Sequence, residues 1–183
     1  MTRTPLVAPA AYFSRPDAFD PRQAVLPTAA FWLATLGTNV YLWSISDFVV
    51  EPRYLAWLYQ TLESTLLTLL IFTLVVYVLG QVVGGDGEPT DALVLAAWAL
   101  VPAIVARVGA VASASGPFVD PATSTELAAT VVFALVACLW AGYCWRDGFR
   151  HAFDLERPVA TPTAVLGVVL CATLVVAPLF VLA

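Results

Sequence analysis

Long apolar blocks separated by short polar joints run through this chain from residue 24 to its end. Five of them, about 24–43, 58–83, 92–112, 127–145 and 163–183, are long enough as helices to cross a hydrocarbon layer of roughly 30 Å at 1.5 Å rise per residue. The pattern predicts an all-α fold, a polytopic membrane helix bundle with five transmembrane helices over 24–183. A short cytoplasmic tail, 1–23, precedes it. That tail holds four prolines and no long apolar run, unlike a cleavable signal peptide. Its Tyr12, Phe13 and Phe19 are expected to rest on the bilayer surface.

The joints carry the local signals. Tyr41 and Trp43 before the first loop, 44–57, and Tyr54 and Trp57 closing that loop, read as an interfacial aromatic belt. In the second block Gln60, Ser64 and Thr68 recur four apart, a polar stripe on one helix face. Gly84, Gly85 and Gly87 with Asp91 form a tight cytoplasmic turn: glycines end one helix, and Thr90 or Asp91 caps the next. No Lys-Ser/Thr follows these glycines, and Asp86 and Glu88 would repel phosphate, so a phosphate loop is excluded. Pro102 removes a backbone hydrogen bond inside the third block and predicts a kink there. Gly109 with Ser113, and Ala134 with Ala137 and Ala141, are small-residue faces that allow close helix approach. After the fourth block, 145–157 reads as a short interfacial basic helix bearing Arg146, Arg150, His151 and Arg157. Trp145, Phe149 and Phe153 are expected to face the headgroups, and Arg150 to pair with Asp154.

Two charges fall within the blocks, Glu63 and Arg107, at similar depth on antiparallel neighbours. With Asn39 they form a candidate intramembrane polar cluster. A Glu63–Arg107 pair and two side chains snorkelling separately are both compatible with the spacing.

Composition narrows the function classes. Of 183 residues 61% are apolar and only 11% charged, against about 25% charged in soluble domains. Net charge is -5, with eight Arg, no Lys and 13 acidic residues, which leaves no basic patch for a nucleic acid. Lysine-free, acid-rich composition points to a salt-loving source or to a GC-rich genome. Cys138, Cys144 and Cys171 lack metal or redox spacing and read as free thiols. With a single histidine, His151, no multi-histidine metal site is available, and neither a catalytic motif nor a cofactor fingerprint occurs. The chain is therefore expected to be no enzyme and to hold no cofactor or metal. Placing the N-terminus inside puts Arg3, Arg15, Arg22, Arg146, Arg150 and Arg157 on the cytoplasmic side and only Arg53 outside. The positive-inside rule then gives a multi-pass protein of the cell (plasma) membrane with its C-terminus outside.

Three stretches carry a resemblance: RPDAFDPR, 15–22, then 77–108 with its Leu100-Val101-Pro102 step, and 139–160. Together they resemble the Yip-domain family of Ypt/Rab-interacting membrane proteins, in its prokaryotic or archaeal branch. The resemblance implies a five-span fold with a cytoplasmic N-terminus and a non-enzymatic adaptor role. Eukaryotic members carry a long N-terminal region with an Asp-Leu-Tyr-Gly-Pro type motif tied to GTPase contact. That motif is missing here, and Ala96, Ala97 and Trp98 stand where those members have Tyr-Gly-Tyr, so GTPase binding is not carried over. Two functions are expected of such a chain. One is an adaptor or accessory subunit of a membrane protein assembly, touching lipids and another integral membrane protein or its own copies. The other is a small oligomeric transporter or channel-like unit built on Asn39, Glu63 and Arg107.

Overall fold

Helix boundaries follow from local chemistry at almost every joint. The computed structural model describes residues 4–44, 54–113 and 124–181. Along these run α1 (Pro9–Phe13), a 3-10 turn (Pro21–Ala24), α2 (Val25–Ser44), α3 (Tyr54–Val82), α4 (Pro89–Ser113), α5 (Ser124–Ala152) and α6 (Arg157–Val181). The five long helices, α2 to α6, are each long and apolar enough to cross a membrane, and no strand occurs among the described residues. The joints 45–53 and 114–123 lie outside the described residues.

The end of α3 is a Schellman motif. Gly84 adopts φ 87°, a left-handed conformation that only glycine takes without strain. Its N–H donates to the Gln81 carbonyl at 3.0 Å and the Gly85 N–H to that of Gly80 at 2.9 Å. After the turn, Pro89 opens α4 at the position where a missing N–H costs nothing. The cap differs from the sequence expectation. It falls at Glu88, whose N–H donates back to the Asp91 carboxylate at 2.8 Å, one half of a capping box.

Three helices run four or more residues beyond their blocks, α6 by starting at Arg157 and not at 163. α3 begins at Tyr54, so Tyr54 and Trp57 belong to the helix and not to the loop; the Trp57 ring meets Trp43 edge-on at 5.9 Å. The separate interfacial helix expected after the fourth block does not form. α5 runs unbroken through Trp145 to Ala152 and ends at Phe153 and Asp154, the latter at φ 51°. Asp147 and Gly148 are poor helix formers, so the helix is carried through them by packing: Trp145 and Phe149 are buried and Leu95 lies against Gly148.

α4 lies at the centre, packed against α2, α3 and α5, while α6 closes the bundle against α3 and α5. Its first half, Ala92 to Leu100, is buried apart from partly covered Leu93. The small-residue faces are used within the chain. Ala137 and Ala141 are buried, and any side chain at Gly109 would strike the Phe133 ring. α4 continues as a helix through buried Pro102.

Candidate functional site

The charged end of α5 is packed inward. Trp145, Phe149 and Phe153 are at most 1% exposed, where the sequence pattern placed them among headgroups. The reason is the glycine turn. Phe153 sits in a cradle formed by Gly80, Gly85 and Gly87; a Cβ at Gly80 would overlap the ring, and one at Gly87 would come within 2.6 Å of the Ala152 carbonyl. Asp86 N–H donates to the Phe153 carbonyl at 3.4 Å. The glycines are thus a receptacle for an aromatic side chain. Trp145 donates its indole N–H to the Leu95 carbonyl at 2.9 Å, and Leu95 fills the space left by Gly148.

Beneath this aromatic column lies Asp147, 2% exposed. Arg146 reaches it at 3.0 Å and Arg150 at 3.5 Å. Arg150 therefore turns to Asp147, three residues back, and not to Asp154, whose left-handed backbone has already left the helix. His151 and Arg157 are exposed.

Residues 4–24 are built into the same end of the bundle. Tyr12 and Phe13 are 3% and 2% exposed, where a position on the bilayer surface was expected. Trp140 donates its indole N–H to the Leu6 carbonyl at 2.9 Å, and the Cys144 thiol approaches the Pro5 carbonyl at 3.3 Å. Tyr12 stands edge-on to Trp98 at 5.6 Å and bonds Gln23 at 3.1 Å, while Arg15 lies 4.3 Å over its ring. Burial pushes the Tyr12 phenol pKa up. A signal for this docking was present: Trp140 puts an indole donor into an apolar block, and a proline-rich segment has spare carbonyls.

The second locus is the intramembrane polar cluster. Arg107 donates from Nε to Thr38 Oγ1 and from Nη2 to Asn39 Oδ1, both at 2.6 Å. Thr38 is 8% exposed and passes its own proton to the backbone of α2, to Ala34 or Thr35, at 2.9 Å. The guanidinium is thereby fixed in direction by two neutral oxygens. Of the three residues singled out from the sequence, Asn39 and Arg107 meet. Glu63 is exposed on α3 and joins none of the ion pairs among the described residues. Thr38 was missed, because a threonine in an apolar helix usually bonds its own backbone.

The polar face of α3 is also divided. Its core-facing threonines are Thr61 and Thr65, at 3% and 0% exposure, and Thr61 accepts the Trp32 indole N–H at 3.2 Å. Gln60, Glu63 and Ser64 are exposed, with Thr68 half-buried beside them. The described His, Cys, Asp and Glu residues form no group of three able to hold a metal ion.

The Yip1 domain family model matches residues 6–179, nearly the whole chain and including the docked N-terminal segment. No curated protein and no solved structure matches the chain. With its five apolar helices and that match, the chain belongs to the Yip1 domain family of multi-pass membrane proteins.

Proposed function

We propose that this Yip1 domain protein is a non-enzymatic adaptor or accessory subunit of a membrane protein assembly. Its N-terminus is cytoplasmic and its C-terminus outside, in the cell membrane. The observation that carries this reading is the outward face of α3. Gln60, Glu63 and Ser64 are exposed within an apolar span, and Glu63 has no ion-pair partner among the described residues. An ionisable side chain facing lipid costs about 2.5–3.5 kcal/mol at a helix centre on insertion scales, and less at the level of Glu63, nine residues from the start of α3. A helix of another integral membrane protein that brings a cation or amide to that level removes this cost. The small-residue faces do not serve this purpose, since Gly109, Ala137 and Ala141 are occupied within the chain.

The test is native purification of a tagged chain in mild detergent, with a photocrosslinker at Gln60 and a control at Val165 on α6, 57% exposed. The expected result is a stoichiometric membrane partner crosslinked from position 60 and not from 165. Its recovery should fall about tenfold in Glu63→Leu, the order of one strong interhelical hydrogen bond. A solitary monomer with equal crosslinking at both positions would overturn the reading. A specific homo-oligomer would favour a transporter or channel-like unit, which the oriented Arg107 head also supports; an Arg107→Met flux assay then decides.

A further inference from the structure

A groove of about 380 Å³ lies between α2 and α3, floored by Leu93 of α4. It begins at Pro21 and Ala24 in the 3-10 turn and runs past Thr28 to Trp32. Almost every wall group is apolar or already satisfied. Thr28 bonds the Ala24 carbonyl at 2.7 Å, and the Trp32 indole is held by Thr61. The exception is Thr65. It lines the groove, is 0% exposed, and its hydroxyl has no hydrogen-bond partner. Other threonines of α3, Thr61, Thr68 and Thr73, bond the carbonyl four residues back. Thr65 does not, so an unpaired hydroxyl is left buried in the wall of an apolar slot, reached from the slot by a turn of the side chain about χ1. An orphaned buried hydroxyl costs about 1–3 kcal/mol unless something enters to meet it.

We infer that this groove binds one chain of a glycerophospholipid, with the Thr65 hydroxyl donating to the oxygen that links the chain to glycerol. Size argues for a single chain: the volume sits near the low end of the roughly 300–1,000 Å³ of small-molecule sites, and a helix of 10–12 Å diameter needs a wider trough. Position argues for lipid. The rim residues Val25 and Leu62 are exposed on the apolar outer faces of membrane-spanning helices, where lipid is the solvent. Charge argues for a phosphate. Arg22 is exposed between Pro21 and Ala24 at the mouth, with its guanidinium in none of the ion pairs among the described residues. The neighbouring Asp20 carboxylate accepts the Arg22 backbone N–H at 2.9 Å. Apolar slot, unpaired hydroxyl and a guanidinium in the adjoining turn thus offer partners for chain, linkage oxygen and phosphate.

The experiment uses the full chain, stripped by delipidating washes in mild detergent and titrated with phosphatidylglycerol or with diacylglycerol, bound lipid being counted by native mass spectrometry. One phosphatidylglycerol per chain is expected. Thr65→Val should weaken its retention about three- to tenfold, the value of one hydrogen bond, and Thr65→Ser should restore it. Ala29→Phe, which fills the slot, should abolish retention, and Arg22→Gln should erase the preference for phosphatidylglycerol over diacylglycerol. Thermal unfolding supplies a second readout that also covers a poorly folding Ala29 variant. Thr65→Val should be more stable than the parent without lipid and lose that advantage when phosphatidylglycerol is added. Equal retention by the parent and Thr65→Val, or a stability gain that lipid leaves unchanged, would overturn the assignment.

Discussion

The two halves of α4 are held in different ways. From Ala92 to Leu100 nearly every side chain is buried, and the neighbours are matched by shape: Leu95 over Gly148, Trp98 against Tyr12, Trp145 bonded to the Leu95 carbonyl. From Val101 onward the side chains are mostly half-exposed; Gly109 against the Phe133 ring is one close seat toward α5, and the anchor to α2 is a guanidinium with two hydrogen bonds. Shape complementarity through glycine and aromatic rings is rigid, because cores have little room to relax. Hydrogen bonds from a flexible arginine head tolerate exchange of partners. The turn end is therefore the fixed frame of the bundle, and the far end, with Arg107 and the exposed Glu63, is the face on which the proposed partner would dock.

The largest effect should come from the frame. Phe153→Ala empties the glycine cradle and should cost about 3–5 kcal/mol, seen as a lower unfolding temperature in detergent. Gly80→Val, which drives a side chain into the Phe153 ring, should cost about 1–3 kcal/mol or more. Neither should change crosslinking from Gln60 in the fraction that stays folded. Loss of partner capture from folded Gly80→Val would break the division between frame and docking face.

What the sequence disclosed divides along the same line. The five spans were legible because an apolar run of about 20 residues with at most one charge has few alternatives in a chain this apolar. The Gly84 turn was legible because left-handed backbone calls for glycine. The seat of Phe153 was not, since the contact joins residues 80 and 153 and nothing local distinguishes a glycine that ends a helix from one that receives a ring. The end of α5 was misjudged for a related reason: Arg146 and Arg150 look like an interfacial face until Asp147, buried between them, is seen to take both. Depth alone brought Asn39 and Arg107 to one level, but it could not say that Thr38 would join them or that Glu63 would point outward.

A middle-sized effect belongs to the far half. Arg107→Met keeps an unbranched side chain and removes the donors to Thr38 and Asn39, leaving the Asn39 carbonyl oxygen unpaired among the spans. A loss of about 1–3 kcal/mol is expected, and Asn39→Leu in the Arg107→Met background should recover part of it by removing the orphan. A double-mutant cycle on thermal unfolding measures this coupling. No coupling between positions 39 and 107 would mean that the far half is held by packing after all, and the contrast between the two halves would fail.

The smallest effect sharpens the boundary of the frame. Trp140→Phe preserves a ring but deletes the N–H that the Leu6 carbonyl accepts, a change of about 0.5–1.5 kcal/mol. That bond ties an irregular proline-rich segment to α5, and the segment is held besides by Tyr12 against Trp98 and by the Cys144 thiol near Pro5. The loss should therefore appear as local opening, with amide exchange across residues 4–24 faster by about two- to tenfold while the exchange of α4 and the unfolding temperature hold steady. If exchange rises in α4 between Ala92 and Leu100 as well, the N-terminal segment is an integral wall of the frame. If it rises in the segment alone, the frame is complete without it, and the segment is a strap laid over a bundle that already holds its shape.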